Sequence, residues 1–217
     1  IKVCRFDKLL NEYVSLNSFS ALQKMNTEFP QETKILVEDV LTIGEVDDDN
    51  INGWLKAFYT DSTISVLMQS ALEKFENMKD IEAQLTKGFR RLKKEIPSLK
   101  VPRVYAQISA LNQSVVVGDS ILGFSIDKYM GADYPLYKKY YCRTMETSRI
   151  VPDCFMYYLI SEYPLPWDWN RSLVDHMMHI GKMHWIIAKI LDYNSLEDEI
   201  GYTKAEAAWC EKNRKEV

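Results

Sequence analysis

The amino-acid sequence predicts an α+β chain, mainly α-helical, with a small antiparallel β-sheet in the middle. Three observations predict it. Apolar residues recur at helical spacing through much of residues 1–97. Residues 98–131 hold short runs rich in β-branched and aromatic side chains, separated by turn residues. Helical spacing then returns after Pro135 and lasts to the end. No repeat and no low-complexity linker divides the 217 residues, so they read as one domain. Its parts are a helical half over 1–97, a hairpin or small sheet over 98–131 and a second helical half over 132–217.

Each element has a local reason. Phe19-Ser-Ala-Leu22-Gln-Lys-Met25 and Ile35-Leu36-Val-Glu-Asp-Val40-Leu41 carry apolar residues three and four apart. Gly44 and the acidic run Asp47-Asp48-Asp49-Asn50 break that pattern. Asp61 is placed to cap a helix through Leu67, Ala71 and Phe75, because its carboxylate can accept from free first-turn amides. Asp80 is read as the cap of the next, through Leu85, Phe89 and Leu92, which Pro97 ends. Val101 to Ile108 is a strand, Ala110 to Ser114 a turn, and Val115-Val116-Val117 the returning strand. Ile121 to Ile126 follows as a third strand or a strand entering a helix. Helices are expected over Pro152–Tyr163 and Asn170–Leu191, with a rigid Pro164-Leu-Pro166-Trp167-Asp-Trp169 loop between them. Thr203-Lys-Ala-Glu206 is a capping box that opens the last helix.

Composition excludes several functions. The net charge of −4 opposes nucleic acid, and the basic run Lys87 to Lys94 reads as the polar face of a helix. No run of about 18 apolar residues occurs, so no transmembrane helix is expected. Cys4, Cys142, Cys154 and Cys210 form no CxxC pair and suggest no zinc knuckle. Asp48 to Gly53 fits the first half of a calcium loop, but Tyr59 stands where the bidentate glutamate belongs. GxGxxG, GxxxxGK[ST] and GxSxG are all absent. No cofactor is implied and no catalytic residue is assigned.

All three histidines, His176, His179 and His184, fall within Asp175-His-Met-Met-His-Ile-Gly-Lys-Met-His184. At about 100° per residue, Leu173, Met177, Ile180, His184, Ile187, Ala188 and Leu191 share one stripe, which is the expected core face. His176 lies to its side and His179 toward the opposite face. His176 and His184 are about 12 Å apart along the axis at ~1.5 Å per residue, too far to share an ion. Only His176 and His179 remain as candidate metal ligands. No His precedes a Glu, so the HExxH of zinc peptidases is missing. Eight of the 13 tyrosines lie between Tyr129 and Tyr163. With Trp167 and Trp169 close behind, Tyr163, Trp167 and Trp169 are the candidate partner-binding residues, since rigid aromatics bury area at low entropic cost.

Four stretches together resemble the gliding-motility lipoprotein B family of bacterial envelope proteins. They are Arg5-Phe6-Asp7-Lys8, Asp119 through Pro135, Gly181-Lys182, and Ile200 through Cys210. The resemblance implies a lipidated precursor, exported to the periplasmic side of the cell envelope and anchored in a membrane through a cysteine upstream of this chain. It also implies a degenerate zincin-like architecture. The expectation is therefore a non-enzymatic envelope lipoprotein that binds envelope proteins and no nucleic acid. The alternative is a divergent metal-dependent hydrolase using His176 and His179.

Overall fold

The structure, a computed structural model, describes residues 1–137, 145–166, 171–194 and 200–214. The helical first half begins with α1 (Phe6–Leu16), α2 (Phe19–Thr27) and α3 (Pro30–Lys34). Ser18 caps α2 by accepting from the Ala21 N–H. The chain runs from α3 straight into a π-helix, Ile35–Val40, wider than the α-helix that the spacing predicts. A further helix, α4 (Ile51–Tyr59), follows the acidic run. Its last residue, Tyr59, is buried and donates from its hydroxyl to the Ile108 carbonyl at 2.6 Å. The position a calcium loop would give to a ligand is thus a core strut.

Capping is borne out at one of the two predicted aspartates. Asp61 accepts from the N–H groups of Thr63 and Ile64 and starts α5 (Ser62–Lys74). Asp80 does not cap α6 (Lys79–Glu95). It lies inside the first turn, while the Asn77 side chain accepts from the Lys79 N–H. A carboxylate in that turn still faces the positive end of the helix dipole.

The three strands form where expected, but their pairing differs. The sheet is mixed, in the order β1 (Arg103–Gln107), β3 (Ile121–Ser125), β2 (Val115–Gly118). β1 runs parallel to β3, with Arg103 opposite Ile121, and β2 runs antiparallel to β3, with Val115 opposite Phe124. The reason lies in burial and in the turn. All five residues of β3 are buried, which suits the strand flanked on both sides. The buried Asp127 carboxylate accepts from the N–H groups of Ser109 (2.9 Å) and Leu111 (2.6 Å). It thereby holds Ala110 and Leu111 in left-handed backbone and swings β2 outward, leaving room for β3. The outer edge of β1 is closed by Cys4, whose N–H donates to Val104 O at 2.8 Å and whose carbonyl accepts from the Ala106 N–H at 2.9 Å.

α1 packs on β1, and α7 (Ile150–Glu162) crosses β2 and β3. Behind α7 lie α6 and α8 (Leu173–Leu191). Two glycines permit close approach. A Cβ on Gly88 would lie 2.4 Å from the Phe155 ring, and one on Gly123 would lie 2.3 Å from the Tyr105 ring. Phe155 in turn packs at a tilt on Phe89, their ring centres 4.7 Å apart. The last helix, α9 (Lys204–Lys212), opens with the predicted Thr203–Glu206 capping box.

Candidate interaction surface

α8 begins with a complete capping box. The Ser172 side chain accepts from the Asp175 N–H, and the Asp175 carboxylate accepts from the Ser172 N–H at 2.8 Å. These bonds hold the Asp175 carboxyl below the usual carboxylate range. The other end is pinned from outside. Arg91 donates to the Ile190 carbonyl and to Asp192, and Lys87 meets the same carboxylate at 2.6 Å. Together they push the Asp192 pKa down to about 2. The basic run of α6 is therefore partly a clamp on the C-terminus of α8, where cations also suit the helix dipole.

Between these ends the apolar stripe divides. Ile187, Ala188 and Leu191 are buried, as the helical wheel predicts. Leu173, Met177 and Ile180, predicted for the same core face, are exposed, Leu173 at 75%. The buried positions of this helix are Met183, Ile187, Ala188, Ile190 and Leu191, so packing starts only after the tenth residue. The first half instead shows Leu173, Val174, Met177, Met178 and Ile180 to the outside, with Trp185 62% exposed beyond them. A hollow of about 730 Å³ lies beside Met177, Ile180 and Trp185 and is lined also by Ile200 and Tyr202.

His176 and His184 both line this hollow, and His179 does not. His176 is exposed, with Nδ1 3.0 Å from the Ser172 carbonyl oxygen. His179, expected to point away from the core, is half-buried, and its buried Nε2 has no hydrogen-bond partner among the described residues. His184 is half-buried. No group of three or more His, Cys, Asp or Glu among the described residues is arranged to hold a metal ion. Tyr163 is 41% exposed and closes the end of α7. Trp167 and Trp169 lie outside the described residues.

Two of the four stretches behind the family resemblance supply the scaffold. Asp7 is buried in the first turn of α1 and takes a bidentate bond from Arg5, whose guanidinium also reaches the Glu76 carbonyl. Burial nevertheless pushes its carboxyl upward. Asp127 is pushed up by the same desolvation while it holds the 109–111 turn. Tyr129 donates to Asp153, which Arg149 also contacts at 3.2 Å. Buried carboxylates placed this way satisfy backbone and tyrosine donors, and sequence motifs alone do not separate that role from catalysis. Gly181 and Lys182, by contrast, are both exposed on α8.

The whole chain, residues 1–217, matches the family model for gliding motility protein GldB. The chain belongs to this family. GldB family members are lipoproteins tied to gliding motility, which points to a membrane-anchored envelope protein. Neither the curated proteins nor the solved structures contain a match. Among the described residues no helix is long and apolar enough to cross a membrane.

Proposed function

We propose that this chain is a non-enzymatic assembly component of the cell envelope. In this reading it is held at a membrane on the periplasmic side by a lipid attached upstream of Ile1, and it docks envelope proteins on the outer face of α8. The observation that carries it is the run of exposed apolar residues from Leu173 to Ile180, continued by Trp185. Contiguous exposed apolar surface of this kind marks interaction sites. Methionines such as Met177 and Met178 adapt to varied partners, and tryptophan supplies a strong anchor. The test is co-purification from the native envelope with wild-type chain and with a Met177→Asp/Met178→Asp variant. The wild type should recover a consistent partner that the variant loses. Equal recovery by both overturns the assignment to α8. Replacing Trp167 and Trp169 with alanine asks the same of the loop before the helix.

A second reading, a metal-dependent hydrolase centred on His176 and His179, is favoured by the unpartnered Nε2 of His179. Elemental analysis of chain purified without a polyhistidine tag tests it. Stoichiometric zinc, copper or iron that His179→Ala releases would support it, and a metal-free chain would end it.

A further inference from the structure

The two edges of the sheet are treated differently. The β1 edge is closed by Cys4. β2 is the last strand on the other side. The Ser125 N–H donates to the Ser114 carbonyl at 2.9 Å, which sets the phase of the β2–β3 ladder. Residues 114, 116 and 118 therefore turn their backbone groups to β3, and Val115 and Val117 turn theirs away. On that outer side the Val115 carbonyl accepts from the Gln113 side-chain amide, and no strand lies there among the described residues.

Open strand edges invite pairing, and proteins usually blunt them with lysine, proline or a bulge. Val115-Val116-Val117-Gly118 has none of these. The edge also opens onto space. A groove of about 450 Å³ runs along it between the π-helix, at Ile35 and Asp39, and α7, at Tyr157 and Ile160. A second hollow of about 230 Å³ shares Val117 and continues to Tyr163. A π-helix in the groove wall fits a binding site, since such segments concentrate at functional positions.

We infer that the open edge of β2 receives an extended segment of a partner protein by strand addition. Val115 is buried, so the outward N–H and carbonyl of Val117 supply the main-chain bonds, and the half-buried Val116 and Val117 supply apolar contact. The mouth carries Asp39 at one end and Asp119 and Glu162 at the other, against Lys100. The segment that fits is β-branched in its centre and basic at its flanks. This surface is separate from α8 and rests on the partner-holding reading only in requiring a protein ligand.

The test is selection of a random displayed library of peptides of about seven residues, enough to span the strand at ~3.3 Å per residue, against the whole chain. Selected peptides should show a β-branched centre with Lys or Arg flanks. Their binding should fall at least about tenfold in Val117→Pro, the loss expected for one or two backbone hydrogen bonds. Proline at this position removes an N–H that faces away from β3, so the ladder is kept. N-methylation of alternate peptide residues should give the same loss without any change in the protein, which guards against a misfolded variant. Met177→Asp/Met178→Asp should leave this binding unchanged. Peptides that bind Val117→Pro and wild type equally, tolerance of N-methylation, or a selection yielding only α8-dependent peptides would each overturn the inference. So would a dimer of the chain that Val117→Pro dissociates, which would give the edge to a second copy.

Discussion

The two halves of α8 share one apolar rhythm and meet opposite fates. From Met183 onward the helix presses on α6 and α7, and Ile187 is wholly buried. From Leu173 to Ile180 the same kind of side chain faces outward. The difference teaches that helical periodicity measures which residues share a face and says nothing about what covers that face. In the second half the cover comes from within the fold. In the first half, on our reading, it comes from another protein.

The largest expected effect breaks the buried half. Ile187→Ala should lower unfolding free energy by about 2–5 kcal/mol, because it leaves a cavity at a fully buried position. Denaturant titration measures this. Ser172→Ala should act only on the other half. Loss of the N-cap costs about 1 kcal/mol of helix stability. Because residues 173–180 are hardly packed, the cost should surface as faster amide exchange there, with the global midpoint little changed.

The clamp at the far end makes a pH prediction. Asp192 has its pKa lowered from 3.8 to about 2 in the fold, so its contribution to stability is full above 3.8 and fades as pH falls through about 2. Asp192→Asn should remove that acid-dependent part of the melting curve, read as thermal midpoint between about pH 5 and pH 2. The buried carboxyls of Asp7 and Asp127 and the half-buried one of Asp153 are raised by desolvation and act in the opposite sense. Their charged forms are disfavoured in the fold, so stability declines as pH climbs from 3.8 through their raised values. The smallest expected effect sharpens the contrast. Met177→Asp/Met178→Asp should shift stability by no more than about 0.5 kcal/mol, as for exposed positions generally, while abolishing partner recovery.

Much of the fold was legible where the controlling chemistry is local. The cap at Asp61, the box at Thr203 and Glu206 and the stop before Pro97 each follow from atoms a few residues apart. The parallel pairing of β1 with β3 was not legible, because it depends on Asp127 reaching back to the 109–111 turn. Asp80 and Asn77 are three residues apart and both suit a cap, so the choice between them rests on where the preceding chain enters. Of the site, the wheel placed His179 away from the core, yet the structure half-buries it. The exposed half of α8 and the open β2 edge were hidden, since exposure is decided by elements distant in sequence.

The way Cys4 closes the β1 edge has a mechanical side. A tether drawn from upstream of Ile1 would transmit load to the fold through residues 1–4. The Val3 N–H donates to Glu82 on α6 at 2.9 Å. Next come the two bonds of Cys4 to β1, which lie across the strand direction. A pull along the strand strains those two together and does not open them one after the other, as peeling from the end of a hairpin would. On our reading the first few residues would thus grip the central sheet in shear, and tension on a molecule tethered as proposed would reach its core before it reached either proposed docking surface.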